Sequence, residues 1–222
     1  MLVPWLEASR LWLVLDRQAA APRSLAEVAE LAIQGGVDVV LCRIKDAPLR
    51  TMAKLSEQVR EKCRQHNCPF VMSHNYELAH DLEADGLQLG ISDPPLIRIR
   101  GVIGEGMPVG FSTHSVQEAR QRFEQGASYV FLGPIYATPA KLKYGLPLGL
   151  ATARQARALK GEVILIGGIN GSNIQELSAT WYSVDPGKRE PPLRVAAIGA
   201  LQRVLDPLRA SQELKSHLLN SC

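Results

Sequence analysis

Short apolar runs recur along the chain, each stopped by turn residues and each followed by a stretch with helical periodicity. The first is Leu11-Trp-Leu-Val-Leu15, closed by Asp16-Arg17, and others occupy 37–42, 69–72, 86–89, 107–111, 129–132, 163–166 and 195–198. Runs this short, rich in β-branched and aromatic residues, read as buried strands. Between them the pattern turns helical. Ser24 caps a helix whose apolar face is Leu25, Val28, Ala29, Leu31 and Ala32. Glu27 makes a capping box with Ser24, and Gly35-Gly36 ends the helix. Further helices are predicted over 49–65, 76–82, 94–103, 116–125 behind a Ser115 cap, 150–159, 172–180 and 200–219. Residues 181–192, WYSVDPGKREPP, have no periodicity and read as an inserted loop.

Strand and helix alternate about eight times, which favours an α/β fold of one kind, a parallel (β/α)8 barrel. An open doubly wound sheet is the competing architecture; the lack of a G-x-G-x-x-G after the first strand argues against it. No low-complexity segment or linker divides the chain, so residues 1–222 are expected to form a single domain with the inserted loop at about 181–192.

In such a barrel the loops leaving the carboxyl ends of the strands share one rim, and chemistry collects there. Just past the strand ends lie Arg43 and Lys45, Ser73 and His74, Asp93, Ser112 and His114, Thr138 and Lys141, and Gly167-Gly168. Arg43, Lys45 and Lys141 bring three cations to that rim, which suits a diphosphate or two phosphates. Gly167-Gly168 lets bare backbone N–H groups approach a phosphate, helped by the helix start that follows. Ile198-Gly199-Ala200 offers further N–H donors after the last strand. Each residue also has a plainer role open to it. Arg43 and Lys45 could be solvated neighbours of Asp46, Asp93 and His114 helix caps, His74 structural, and Gly167-Gly168 a tight turn.

Composition narrows the classes. A hydrophobic content of 46% with 21% charged residues is that of an ordinary globular protein. A net charge of +3 with no basic run argues against a nucleic-acid partner. No apolar run approaches the ~20 residues that span a bilayer, and the N-terminal stretch, with Glu7 and Arg10 inside it, is no signal peptide. Cys42, Cys63, Cys68 and Cys222 sit at no disulfide-framework spacing, so a reduced, cytoplasmic chain is expected. Cys63-x2-His66-x-Cys68 lacks the second pair that a four-ligand metal site needs.

Six segments fall in a telling order. They are Leu-Val-Leu-Asp-Arg at 13–17; Arg43-Ile-Lys45-Asp46; Ala84-Asp85-Gly86 with Leu89-Gly90 and Asp93; Ser112-Thr-His-Ser115; Gly133-Pro-Ile-Tyr-Ala-Thr138-Pro-Ala-Lys141; and Ile166-Gly-Gly-Ile169. From Leu11 to about Leu201 this series resembles the thiamine-phosphate synthase family, which includes the TenI-type thiazole tautomerases. The resemblance implies a (β/α)8 barrel that joins a hydroxymethylpyrimidine diphosphate to a thiazole phosphate and releases diphosphate. It implies ionisation of the pyrimidine diphosphate to a stabilised cation, which the thiazole nitrogen attacks; leaving-group stabilisation then matters most. By the same resemblance Arg43, Lys45 and Lys141 hold the diphosphate, Ser112 contacts it, and Asp93 holds Mg²⁺. Thr138, Gly167, Gly168 and Gly199 line the thiazole phosphate site. The partners implied are small phosphorylated molecules, and a homodimer through the terminal helix is left open.

The chain also departs from that pattern. Ser73-His74 stands where the family has Asn-Asp, so one expected Mg²⁺ carboxylate is missing, and neutral His is a poor ligand for a hard cation. Leu41 replaces a Gln, Gln88 replaces the His of a His-Leu-Gly run, and Ala140 replaces a Thr. Two other readings therefore stand beside the synthase. One is a thiazole phosphate tautomerase in which His114 shuttles a proton. The other is a non-catalytic protein that binds thiazole or thiamine phosphate.

Overall fold

A computed structural model describes residues 3–45, 47–138, 146–182 and 191–219. Eight parallel strands close into a barrel in chain order, each paired with the next and the last with the first. They are β1 (Leu11–Asp16), β2 (Val39–Arg43), β3 (Phe70–Ser73), β4 (Gly86–Leu89), β5 (Val109–Thr113), β6 (Tyr129–Leu132), β7 (Glu162–Ile166) and β8 (Val195–Ala197). The helices are α1 (Pro4–Ala8), α2 (Arg17–Ala20), α3 (Leu25–Gln34), α4 (Leu49–Gln65), α5 (Tyr76–Asp81), α6 (Leu96–Ile103), α7 (Val116–Glu124), α8 (Gly149–Ala156), α9 (Ile174–Tyr182), α10 (Gly199–Gln202) and α11 (Pro207–Leu219). The barrel expected from the alternation of runs is the one observed.

Strand side chains alternate between two apolar layers. Leu13, Val40, Leu87, Leu89, Phe111, Val130 and Leu165 face outward and pack under the helices. Trp12, Val14, Val39, Leu41, Val71, Tyr129, Phe131, Ile164 and Ala196 face inward and fill the barrel. Burial on both sides explains why the strands read as continuous apolar runs. Towards the carboxyl ends of β1 to β5 the inward positions turn polar, while β7 and β8 continue with Ile166 and Ile198. Counting two residues on from Val14, Leu41 and Val71 gives Asp16, Arg43 and Ser73. Gln88 lies between outward Leu87 and Leu89, and Ser112 follows outward Phe111.

The opposite end is closed by aromatic rings. Trp12 lies 5.2 Å from Tyr129 and 5.4 Å from Phe131 between ring centres, and Trp5 of α1 packs against it at 5.8 Å with the planes tilted by 53°. The Trp12 Nε1–H donates to Ser9 Oγ (3.0 Å), which donates to the Leu6 carbonyl (2.8 Å). Gly110 shows how tight this filling is: a Cβ there would meet the Tyr129 ring at 2.1 Å.

Local signals explain most boundaries and correct some expectations. Ser24, Asn75 and Ser115 each accept a backbone N–H at a helix start. The single terminal helix expected over 200–219 is instead two, α10 and α11. Asp206 accepts the Arg209 N–H (3.0 Å) and Pro207 opens the second helix. Proline lacks the N–H a helix interior requires and suits the first turn. Trp181 and Tyr182 close α9 rather than opening a loop; Trp181 is buried and its Nε1–H donates to the Pro191 carbonyl (2.7 Å). The rest of the expected insertion, 183–190, lies outside the described residues. Leu31 is half-buried rather than part of the α3 core face, and α1 and α2 are elements the apolar pattern did not announce.

Candidate active site

Because all eight strands run the same way, the described residues expected at the site leave the barrel at one end. Arg43 closes β2 with its guanidinium Nη1–H donated to Asp16 Oδ2 at 2.7 Å. Asp16 is the last residue of β1, and its other oxygen accepts the Gln18 and Ala19 N–H groups at the start of α2. The buried Gln202 side chain fixes that strand end. It accepts the Asp16 N–H (3.0 Å) and donates to the Val14 carbonyl (2.5 Å). Asp16 and Gln202 are the positioning residues that sequence reasoning missed. For Asp16 the signal was present in the Asp-Arg that closes the first run; Gln202, far along the chain, gave none.

Across the mouth, Gln88 and Ser112 face inward from neighbouring strands, and Gln88 Nε2 lies 3.2 Å from Ser112 Oγ. Next to them, His74 Nδ1 and Asp93 Oδ2 are 2.7 Å apart, and the same carboxylate oxygen accepts the Gly90 N–H (2.6 Å). His74 holds a left-handed backbone (φ 68°), unusual for a residue with a Cβ.

The donor set can be set against the Mg²⁺ that the sequence resemblance implies. Among the described residues no three His, Cys, Asp or Glu side chains gather as a metal cluster. Asp93 is the single carboxylate beside His74, with one of its oxygens already accepting two hydrogen bonds. That set fits an ion which arrives with a diphosphate and takes one protein oxygen. It does not fit a metal held by protein ligands alone.

The loops after β6 and β7 are bound to each other. The Ile135 and Tyr136 N–H groups donate to the Ile166 and Gly167 carbonyls, each at 2.9 Å. Gly167 (φ 100°) and Gly168 (φ 71°) occupy left-handed backbone. A Cβ at Gly168 would meet Tyr136 Cβ at 2.6 Å, so glycine is demanded twice, by conformation and by space. α9 starts at Ile174, just past the expected Ser172. The intervening turn is tied by Asn170 and Asn173, whose side-chain amides donate to the Gly168 carbonyl (3.0 and 2.9 Å). Thr138 Oγ1 is buried with no partner among the described residues. Gly199 opens the short α10 after β8.

His114 leaves the end of β5 with its side chain 54% exposed and Nδ1 3.7 Å from Glu118 Oε2. Lys45 is exposed just past β2. Lys141, and with it the third cation, lies outside the described residues.

This arrangement has known counterparts. The profile of the family described as thiamine monophosphate synthase matches residues 11–183. The thiamine-phosphate synthase of Roseiflexus castenholzii is 32% identical over 204 residues, covering 91% of this chain and 85% of that protein. That of Clostridium novyi is 34% identical over 172 residues, covering 77% and 84%. Among solved structures, thiamine phosphate pyrophosphorylase from Pyrococcus furiosus superposes with a TM-score of 0.82 at 26% identity, covering 97% of this chain and 98% of that one. With the barrel, its rim and these relatives in agreement, the chain belongs to the thiamine monophosphate synthase family.

Proposed function

We propose that the chain joins a hydroxymethylpyrimidine diphosphate to a thiazole phosphate and releases diphosphate. One observation carries the reading: an inward layer of Arg43, Gln88 and Ser112 sits at the mouth of the barrel, over an aromatic floor and beside the Gly167-Gly168 turn. A pyrimidine diphosphate needs donors for its phosphate oxygens and a flat apolar surface for its ring. The mouth offers the donors, and the apolar inward residues beneath it, Leu41, Phe131 and Ile166 among them, offer the surface.

Arg43, held in place by Asp16, turns its remaining guanidinium N–H groups to the diphosphate. The Ser112 hydroxyl donates beside it, and Lys45 and Lys141 add charge. As the bond from the methylene carbon to diphosphate oxygen breaks, negative charge grows on the leaving group, where these donors stand ready. The pyrimidine ring carries the positive charge left on the methylene carbon until the thiazole nitrogen attacks it. One C–O bond is exchanged for one C–N bond, and no proton moves in the exchange. The thiazole is held by its phosphate, through the unpartnered Thr138 hydroxyl and backbone N–H groups at Gly167, Gly168 and Gly199. Asp93 would hold a Mg²⁺ carried in by the diphosphate, which when bound supplies further neutralisation of the leaving group.

The test is an assay of purified protein with both substrates and Mg²⁺. Thiamine phosphate and diphosphate are expected in equal amounts, with kcat/KM at least about 100-fold lower in Arg43→Ala. Isomerisation of a thiazole phosphate tautomer with no thiamine phosphate formed would replace this reading by the tautomerase. Tight thiazole phosphate binding with no turnover of any kind would replace it by the binding protein.

A further inference from the structure

His74 stands where the family pattern calls for a carboxylate, and its backbone (φ 68°) is one that residues with a Cβ seldom adopt. Its surroundings are built for the ring. The His74 N–H donates to the Gln88 carbonyl (2.9 Å), which ties the residue to the end of β4. Nδ1 lies 2.7 Å from Asp93 Oδ2, and the same oxygen accepts the Gly90 N–H at 2.6 Å. A Cβ at Gly90 would come within 3.1 Å of His74 Cε1, so the bare glycine leaves the imidazole its room.

The tautomer follows from these contacts. An ionised carboxylate has only acceptors, so the proton between the pair belongs to Nδ1. In the neutral imidazole that leaves Nε2 with a bare lone pair. Nε2 makes no hydrogen bond among the described residues, and the side chain is 37% exposed. A carboxylate that holds one nitrogen of a histidine and leaves the other as a lone-pair donor is the arrangement that ligating histidines use at metal centres.

The donor type selects the ion. Mg²⁺ prefers oxygen and gains little from an imidazole. Ions from Fe²⁺ to Zn²⁺ take imidazole readily. One nitrogen does not hold such an ion alone, and among the described residues no three His, Cys, Asp or Glu side chains gather to do so. Diphosphate oxygens and water complete the shell.

We propose that His74 Nε2 is a metal ligand, with Asp93 as the positioning carboxylate behind it, and that the chain takes its diphosphate as the complex of a divalent transition ion of the Fe²⁺ to Zn²⁺ range. The proposal rests on the synthase reading above and changes the ion, not the reaction. Mg²⁺ takes the Asp93 oxygen; an ion of this range takes the His74 nitrogen.

The test is titration of the full chain with preformed Co²⁺–diphosphate and Mg²⁺–diphosphate, followed by calorimetry and, for Co²⁺, by proton NMR. Wild type is expected to bind the Co²⁺ complex at least about tenfold more tightly than the Mg²⁺ complex. It should also show one exchangeable imidazole N–H resonance shifted far downfield by the paramagnetic ion. His74→Asn tolerates the same backbone and can still donate to Asp93. In that variant the shifted resonance should vanish and the preference should fall below about threefold. Asp93→Asn should weaken the Co²⁺ complex about tenfold and broaden the shifted N–H by solvent exchange, which a merely structural role would not do. A wild type that binds both complexes equally would overturn the proposal without recourse to any variant. So would a preference or a shifted resonance that survives in His74→Asn. If thiamine phosphate is still formed with Mg²⁺ under either result, the synthase reading stands and only the nitrogen ligand falls. Failure of both complexes to bind, with no thiamine phosphate formed with either ion, removes the two together.

Discussion

The two ends of the barrel treat their polar groups differently. At the end closed by α1, most polar atoms are matched within the fold, Arg194 Nε being a buried exception: Trp12 pairs with Ser9, Ser9 with the Leu6 carbonyl, Tyr129 with the Leu87 carbonyl. Even the charges there are paired. Arg194, 4% exposed at the foot of β8, meets Glu162 at the foot of β7 at 2.6 Å and donates to the Glu7 and Pro192 carbonyls. Burial pushes the Glu162 carboxyl above its usual range, and the Arg194 guanidinium pulls it back. At the open end, by contrast, Gln88 Oε1 and Thr138 Oγ1 are buried without partners. Strands of one sheet thus end in a nearly complete network on one side and a less complete one on the other. The unfinished network is where a ligand supplies what the chain lacks.

This contrast predicts that stability and ligand binding separate by end. The largest effect is expected for Arg194→Ala, which strands the Glu162 carboxylate in the floor. A loss of about 2–3 kcal/mol in urea unfolding should follow, because a partly buried carboxylate without its partner is costly. Calorimetry of the folded variant should give inorganic diphosphate affinity within about twofold of wild type; a tenfold loss would break the separation. A smaller effect belongs to the rim. His74→Asp restores a second carboxylate beside Asp93, and the Mg²⁺ concentration giving half-maximal turnover should fall about tenfold. Unfolding free energy should move by less than about 1 kcal/mol, since His74 is partly exposed. An unchanged Mg²⁺ requirement would remove Asp93 from the ion's path.

The sequence pattern reached far into this fold because the strands are buried on both faces. Apart from Gln88, Gly86–Leu89 and Tyr129–Leu132 are apolar or small enough to be bounded directly by their flanking turn residues. Helix starts at Ser24 and Ser115 carried their own capping signal. The signal at Asp206-Pro207 was equally local, yet an apolar periodicity running through 200–219 masked it. The candidate site was legible as a set of residues but not as a network. The Asp16–Arg43 pair spans 27 residues and exists only because β1 and β2 align Asp16 with Arg43. His74 and Asp93 meet across two loops, and no periodicity encodes that contact. Gln88 stood out as a departure from the family pattern, but its unmatched oxygen depends on where Ser112 and Leu89 place their own atoms.

The central claim is one of place: both phosphorylated groups bind at the open end of the barrel. A crystal structure grown with inorganic diphosphate and thiazole phosphate tests it most directly. Density for diphosphate against Arg43 and Ser112, with the thiazole phosphate between Thr138 and Gly168, is the predicted result. Anions bound at the α1 end, or on the outer helices with the mouth empty, would contradict it.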